Sequence, residues 1–114
     1  MSEIISHRLI LDTSHSALTN MAIDEVLMRD QKECAWPLTL RIYFWDSPAL
    51  SVGYFQNIQT IAQMFQCVQK KTNIVRRITG GGTVLHGKDI TFSFCAHVKD
   101  FPFLENIKDS YFKV

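Results

Sequence analysis

The stretch RRITGGGTVLH, residues 76–86, is the most informative part of the chain. Three consecutive glycines offer no side chains for packing and cost conformational entropy on folding. Their use therefore indicates a backbone that needs unusual dihedral angles or that meets a ligand closely. We predict a strand, a glycine loop and a second strand over residues 74–86, with the loop facing an open concavity.

The same stretch predicts a site for an anion or a phosphate group. Exposed amides in a glycine loop can cradle anionic oxygens, and Arg76 and Arg77 supply positive charge and paired donors. From spacing alone, a loose hairpin connection with two surface arginines remains the alternative. A Walker A loop is excluded, because Asp89 stands where that loop needs Ser or Thr and a strand pattern follows where a helix should begin.

The N-terminal half predicts a strand, a helix and a strand. Residues 7–12 have a strand pattern, and the three- and four-residue spacing of apolar side chains in residues 17–28 predicts an amphipathic helix. Ser14 or Ser16 is its expected N-cap. Residues 38–46 alternate as a half-buried strand.

The C-terminal half predicts shorter elements. Residues 49–56 follow a Ser-Pro turn and are expected to pair antiparallel with the preceding strand. Asn57 is the expected cap of a helix over residues 58–71, and residues 89–98 alternate as a strand. Residues 104–114 predict the start of a further helix with an apolar face, formed by Leu104, Ile107, Tyr111 and Phe112.

Composition excludes several classes of protein. A length of 114 residues fits one domain, and 46% hydrophobic with 20% charged residues is ordinary for a soluble globular chain. Twelve basic residues against eleven acidic ones give a net charge of +1, so no overall field would attract nucleic acid or a membrane surface.

Cysteine and histidine spacing predicts neither disulfides nor a metal site. Cys34, Cys67 and Cys95 are odd in number and form no CxxC pair, and the histidines lack ligand spacing. The N-terminus lacks the basic start and long apolar run of a signal peptide. We therefore expect a cytoplasmic protein.

Three segments together resemble lipoate-protein ligase A and the octanoyltransferases, which share the biotin/lipoate ligase fold. Residues 76–86 are similar to the family signature RRxSGGGAVxH, with Thr79 for Ser and Thr83 for Ala. Residues 20–25, NMAIDE, resemble the segment N-x-A-x-[DE]-E. Residues 45–57 resemble W-x-x-P-x-x-S-x-G-x-x-Q-N, and the three motifs occur in the family's order.

The resemblance implies an α+β fold like that of the class II synthetases, with a mixed, mostly antiparallel sheet and flanking helices. Residues 1–114 would be the N-terminal portion of the catalytic domain. The implied reaction uses ATP and Mg²⁺ to activate lipoate or octanoate to acyl-AMP. The acyl group then passes to a lysine of an E2 lipoyl domain or of the glycine-cleavage H protein.

Two alternatives to this reaction remain open. One is an octanoyltransferase that takes the acyl group from octanoyl-carrier protein through a cysteine, without ATP. The other is a truncated, non-catalytic acyl-binding module that pairs with a complementary chain or with itself.

The resemblance also implies roles for particular residues. Arg76 and Arg77 would neutralise the phosphate of ATP and of the acyl-adenylate, and His86 would close the pocket. Phe44, Trp45 and Tyr54 would wall the acyl pocket, although ordinary core packing is the alternative for these rings. The backbone along the ligand would come from Gly80, Gly81, Gly82, Thr83, Val84 and Leu85.

The departures from the family pattern concern the catalytic groups. Residues 87–92 resemble the octanoyltransferase branch, yet that branch usually has Arg at the position of Gly82. The family's essential lysine and its nucleophilic cysteine lie beyond the signature and have no counterpart here. We therefore expect the 114 residues alone not to acylate a lipoyl domain. Cys95 and His97 share a strand face, either as a thiolate-imidazole pair or as a small buried thiol beside an imidazole.

Overall fold

The fold is described by a computed structural model that covers residues 7–31, 33, 38–65, 72–97 and 99–100. Within these residues, no helix is long and apolar enough to cross a membrane. The elements in chain order are β1 (Arg8–His15), α1 (Ala17–Asp30), β2 (Leu38–Trp45), β3 (Ala49–Val52), α2 (Ile58–Met64), β4 (Asn73–Arg76), β5 (Val84–His86) and β6 (Thr91–Ala96).

The strands form two three-stranded sheets, in the orders β1-β2-β6 and β4-β3-β5. The predicted α+β class and mixed pairing are confirmed, with parallel and antiparallel pairs equally represented among the described strands. In each sheet the central strand is parallel to one neighbour and antiparallel to the other.

The predicted pairing of residues 49–56 with residues 38–46 is wrong. β3 lies in the second sheet, between β4 and β5, whereas β2 pairs with β1 and β6. All four residues of β3 are buried. A buried strand needs backbone partners on both sides, and β4 and β5 supply them.

Both described helices begin at a side-chain cap. The Ser16 Oγ accepts a hydrogen bond from the Thr19 amide at 3.2 Å, so Ser16 is the cap of the two candidates. The Asn57 Oδ1 accepts from the Thr60 amide at 3.1 Å, as expected. The rest of the predicted second helix, from residue 66, and the predicted helix over residues 104–114 lie outside the described residues.

The first sheet buries its polar face against α1. Arg41, on the central strand, is 0% exposed and donates to Asp12 and to Asp24, both at 2.9 Å. It also donates to the Asn20 Oδ1 at 2.8 Å, and its guanidinium lies 3.8 Å from the ring centroid of Tyr43. A buried charge is tolerated only with partners of this kind, and α1 supplies two of them.

The opposite face of this sheet is apolar and partly open to solvent. Strand register aligns Leu11 with Ile42 and Ile42 with Phe92, and Leu11 and Phe92 are 73% and 65% exposed. We call this surface the outer face. Its apolar residues, by register, are Leu9, Leu11, Leu40, Ile42, Phe44, Phe92 and Phe94.

Candidate functional site

The predicted strand, glycine loop and strand are confirmed. β4 ends at Arg76 and β5 begins at Val84, so residues 77–83 connect the two edge strands of the second sheet. We call residues 79–83 the glycine loop. It lies beside the turn that follows the central strand, residues 53–56.

The turn and the glycine loop are tied together by hydrogen bonds. The Tyr54 amide donates to the Thr79 carbonyl at 2.9 Å, and the Thr83 hydroxyl donates to the Gln56 Oε1 at 3.0 Å. Arg76 braces the turn, because its Nη1 donates to the carbonyls of Tyr54 and Gln56 at 2.8 and 2.7 Å. Arg76 therefore has a local structural role as well as a positive charge.

Arg77 holds the glycine loop against the central strand. Its Nη1 donates to the carbonyl and to the hydroxyl of Ser51, both at 2.8 Å. Its Nη2 donates to the carbonyls of Gly80 and Gly82, at 2.9 and 2.8 Å. Burial lowers the pKa of this arginine, although a guanidinium remains charged at neutral pH. Both terminal nitrogens are thus already engaged by the protein.

The glycine loop presents donors and positive charge. The carbonyls of Gly80 and Gly82 accept from Arg77, whereas the amides of Gly80, Gly81 and Gly82 donate to no acceptor within the described residues. All three glycines are exposed. Neither Arg76 nor Arg77 forms an ion pair with a carboxylate of any residue that the structure describes. An anionic group is the natural ligand for this arrangement.

His86 lies at the end of β5 away from the glycine loop and does not line the cavity described below. It is 7% exposed, and its ring stacks on Trp45 with the centroids 4.0 Å apart. The Nε2 lies 2.8 Å from the Ser51 Oγ, and the Nδ1 lies 2.8 Å from the Asp89 Oδ2. The family resemblance implied that His86 closes the ligand pocket, and the sequence assigned no role at this site to Ser51 or Asp89.

Asp89 is an ionised hydrogen-bond acceptor. Burial acts to raise the pKa of its carboxyl group, but hydrogen bonds from His86, the Gly87 amide and the Thr91 hydroxyl outweigh burial and lower the pKa to about 2. The distances to Gly87 and Thr91 are 2.8 and 2.9 Å. The residue that rules out a Walker A loop therefore holds His86 in place.

Val84 and Leu85 contribute backbone to the second sheet. They pair with Ser51 and Leu50 of β3, and their side chains are exposed. These two residues are therefore paired with β3 immediately after the glycine loop.

A mostly apolar cavity of about 440 Å³ lies between α1, β6 and the segment that leads into the glycine loop. Arg77, Ile78 and Thr79 line the side nearest the loop. The other lining residues are Met21, Asp24, Met28, Gln31, Tyr43, Thr91, Phe92, Ser93, Phe94, Cys95 and Ala96.

Asp24 accepts hydrogen bonds from polar side chains at the cavity. Its carboxylate accepts from Arg41 and, at 2.8 Å, from the Tyr43 hydroxyl, and the Ser93 hydroxyl donates to it as well. Burial, together with the charge of Asp24, raises the pKa of Tyr43, so the phenol stays protonated. This polar group lies on the buried face that α1 shares with β2 and β6.

The three aromatic residues expected to wall an acyl pocket do not line this cavity. Phe44 lies on the outer face, because strand alternation turns it away from α1. Trp45 is buried against His86 and donates to the Thr91 hydroxyl at 2.8 Å. Tyr54 is exposed and packs edge-on against Phe55.

Cys95 does line the cavity, as a partly buried thiol. Burial raises its pKa, and the nearby charge of Asp24 acts in the same direction. A protonated thiol is a poor nucleophile. Within the described residues, no group of three or more His, Cys, Asp and Glu side chains is placed to hold a metal ion.

Comparison with known proteins identifies the family of the chain. The family model of the lipoyl protein ligase A/B catalytic domain matches residues 16–113. The chain belongs to this family. Octanoyltransferase LipM of Moorella thermoacetica is 38% identical over 107 residues, which are 92% of this chain and 39% of the relative. The chain thus spans about two fifths of that relative's length.

Solved structures of the family share the fold. Lipoate-protein ligase A bound with ATP is 30% identical with a TM-score of 0.58, and the match covers 77% of this chain and 36% of that one. Protein Ta0514 of T. acidophilum with bound lipoic acid is 27% identical, with a TM-score of 0.58 and the same coverage. Both matches support the family assignment made from the sequence motifs.

Proposed function

We propose that these 114 residues form the acyl-binding and anion-binding part of an enzyme that lipoylates proteins. The enzyme would pass an octanoyl or lipoyl group to a lysine of a lipoyl domain. One observation carries the proposal: the mostly apolar cavity reaches Arg77 and Thr79, where the glycine loop begins. The apolar cavity would therefore hold an acyl chain, and the adjacent glycine loop would contact the polar end of the same ligand.

The cavity suits a medium-length acyl chain. Its 440 Å³ fall within the range of roughly 300–1,000 Å³ that is typical of small-molecule sites. Met21, Met28 and Ile78 supply apolar lining. Each methylene group removed from water there contributes about 0.8 kcal/mol to binding. This gain favours octanoyl and lipoyl groups over acetyl groups.

The glycine loop suits the polar end of the acyl donor. The amides of Gly80, Gly81 and Gly82, which donate to no acceptor in the described part of the chain, would face a phosphate or a developing oxyanion beside the positive charges of Arg76 and Arg77. Arg77 acts mainly by holding the loop, because its terminal nitrogens already donate to Ser51, Gly80 and Gly82.

Octanoyl transfer from a carrier protein is the first candidate for the reaction. The relative from Moorella thermoacetica is named an octanoyltransferase, and it matches almost the whole chain. The acyl acceptor would be the lysine of an E2 lipoyl domain or of the glycine-cleavage H protein. The described residues would bind and orient the octanoyl group, and Cys95 would stay a protonated thiol beside it.

ATP-dependent activation of lipoate or octanoate is the second candidate. Among the described residues, Arg76 and Arg77 have no carboxylate partner and the amides of the glycine loop donate to no acceptor, which fits an adenylate phosphate. The related lipoate-protein ligase A has been solved with bound ATP. Mg²⁺ would arrive on the nucleotide phosphates, since it commonly relies on substrate phosphates for part of its coordination.

Calorimetry with two probes distinguishes the candidates. The probes are octanoyl-pantetheine and octanoyl-sulfamoyl-adenosine, a non-hydrolysable mimic of octanoyl-AMP. Preference for the thioester supports octanoyl transfer from a carrier protein, and preference for the adenylate mimic supports ATP-dependent activation. Binding of neither probe would contradict the proposed function.

Two variants of α1 test whether the cavity holds the acyl chain. Met28→Trp places a larger side chain at the cavity, whereas Leu18→Trp changes an exposed residue of the same helix that does not line it. We expect the first variant to bind octanoyl probes more weakly and the second to bind them like the original chain. Equal binding by both variants would place the acyl chain elsewhere.

A further inference from the structure

Ser51, His86 and Asp89 form a hydrogen-bonded row that ends at Arg77, and Ser51 and His86 are buried. The Arg77 Nη1 lies 2.8 Å from the Ser51 Oγ, which lies 2.8 Å from the His86 Nε2, and the His86 Nδ1 lies 2.8 Å from the Asp89 Oδ2. Strand register explains the row: His86 aligns with Ala49, two residues before Ser51, so both side chains lie on one face of the second sheet.

When the imidazole of His86 carries one proton, the chemistry of the two ends sets the direction of the hydrogen bonds in the row. Arg77 can only donate, and the Asp89 carboxylate can only accept. His86 therefore donates from Nδ1 to Asp89 and keeps a lone pair on Nε2. The Ser51 hydroxyl accepts from Arg77 and donates to that lone pair. The row thereby links a guanidinium to a carboxylate through a hydroxyl and an imidazole.

We infer that Asp89, His86 and Ser51 are positioning residues that set the guanidinium of Arg77 and, through it, the anion-binding shape of the glycine loop. The loop end of the row is the pair of Arg77 bonds to the carbonyls of Gly80 and Gly82. These carbonyls point toward Arg77, and the amides of the three glycines, which donate to no acceptor within the described ranges, remain available to a ligand. The inference about the ligand rests on the proposed function, whereas the inference about the loop does not.

The surroundings make the row rigid. Ser51 is 0% exposed, and His86 is held flat against Trp45. Asp89 is further fixed by the Gly87 amide and by the Thr91 hydroxyl, and Thr91 in turn accepts from the Trp45 indole. Side chains with this many partners keep one orientation. They therefore hold Arg77, and with it the glycine loop, in a fixed arrangement before a ligand binds.

The same three residue types activate the serine of many acyl-transfer enzymes, but the geometry here favours positioning. Ser51 is fully buried, and its hydroxyl oxygen already accepts a hydrogen bond from the Arg77 guanidinium. A serine nucleophile must reach its substrate and lose its proton to histidine as it attacks. The Ser51 oxygen is instead buried and engaged by Arg77, so it is not accessible to a substrate.

Nuclear magnetic resonance of the ligand-free 114-residue chain tests the row without reference to function. We expect the His86 ring to carry its proton on Nδ1, and we expect Asp89→Asn and Ser51→Ala to shift the amide signals of Gly80, Gly81 and Gly82. The control is Lys88→Gln, an exposed neighbour of Asp89, which should leave those signals in place. A proton on Nε2, or glycine signals that ignore both variants, would overturn the inference.

Calorimetry with octanoyl-sulfamoyl-adenosine tests the link to the ligand. We expect Asp89→Asn and Ser51→Ala to weaken binding roughly tenfold at a temperature well below the unfolding transition of either variant, as the loss of one hydrogen bond to a charged group would. Unchanged affinity in both would overturn the role toward the ligand. Expected glycine shifts, with neither this mimic nor octanoyl-pantetheine bound by the original chain, would uphold the row and contradict the proposed function.

Mass spectrometry separates positioning from covalent catalysis. The chain is incubated with octanoyl-pantetheine, digested and searched for an octanoyl ester on Ser51. We expect none. An octanoylated Ser51 peptide, absent after His86→Gln, would replace the positioning role with a nucleophilic one.

Discussion

Gly53 and Gly81 approach each other so closely that a Cβ atom on Gly53 would lie 2.0 Å from the Gly81 carbonyl oxygen. Gly81 also has a φ of +95°, which side-chain-bearing residues rarely adopt. A Cβ on Gly80 or Gly82, in contrast, would meet nothing within 4 Å. Gly81 is therefore needed for the shape of the loop, whereas Gly80 and Gly82 leave the space in front of it open.

Because Gly53 has no room for a side chain and Gly82 faces open space, we expect alanine to lower stability at position 53 and ligand binding at position 82. Gly53→Ala should destabilise the fold by roughly 1–3 kcal/mol, because backbone atoms of the loop must move. Gly82→Ala should change stability by less than about 0.5 kcal/mol but should weaken binding of octanoyl-sulfamoyl-adenosine, since the new methyl group occupies open space at the loop. Urea unfolding and calorimetry measure the two effects. Undiminished binding by Gly82→Ala would exclude contact between this glycine and the ligand.

Removal of the Arg77 side chain should release the glycine loop and reduce its positive charge. We expect Arg77→Ala to lose about 1.5–3 kcal/mol of binding free energy for the same adenylate mimic. Arg77→Lys should recover only part of the loss, because a lysine restores the charge but cannot span Ser51 and both glycine carbonyls. Calorimetry of the two variants measures this. Full recovery by lysine would show that charge alone matters.

The buried Arg41 predicts a large loss of stability on substitution. Arg41→Met would leave Asp12 and Asp24 without their cation beneath α1, which costs about 3–5 kcal/mol in comparable buried pairs. Arg29→Met is the matched control, because Arg29 pairs with Glu25 on the exposed side of the same helix, where such a pair contributes about 0.3–0.5 kcal/mol. Urea unfolding of the two variants should differ accordingly. A loss of unfolding free energy in Arg41→Met as small as that in Arg29→Met would mean that Arg41 contributes little net stability.

Much of the local structure near the glycine loop could be predicted from the sequence, because its signals are local. The glycine run and the strand patterns on either side predict the loop, and the spacing of apolar residues together with Ser16 predicts α1 and its start. Short-range capping and periodicity do not depend on distant partners.

The buried polar groups could not be predicted in the same way, since their partners are distant in sequence. The alternation of β2 shows two faces but does not say which is buried. Arg41 lies inside only because Asp12 and Asp24 reach it from β1 and α1. Likewise Ser51 meets His86 because β3 pairs with β5 rather than with β2. Strand pairing of this kind is a long-range property.

Acid should destabilise the fold through Asp12 and Asp89. The hydrogen bond from His15, with others from Thr13 and Arg41, lowers the pKa of Asp12 to about 2, and that of Asp89 is also about 2. Each carboxyl binds a proton less readily when folded than at its ordinary pKa of 3.8. Their stabilising contribution is therefore complete above about pH 4 and is lost as the pH falls toward 2.

Asp12→Asn tests this dependence. The variant should be less stable at neutral pH, and its free energy of unfolding should fall less steeply between pH 4 and pH 2. Urea unfolding at several pH values measures both effects. A slope equal to that of the original chain would show that Asp12 does not account for the acid sensitivity.

The outer face of the first sheet should make the 114-residue chain self-associate. Leu11 and Phe92 are highly exposed there and flank Ile42 in register, and an apolar surface of this kind commonly marks an interaction site. Replacing both Leu11 and Phe92 with lysine should shift the chain toward monomer in sedimentation velocity experiments without lowering its melting temperature. Leu18→Lys is the control, because Leu18 is 74% exposed on α1, away from this surface. Because lysine at position 18 adds charge without altering the outer face, an equal shift toward monomer in that control would indicate general charge repulsion instead of contact through the sheet.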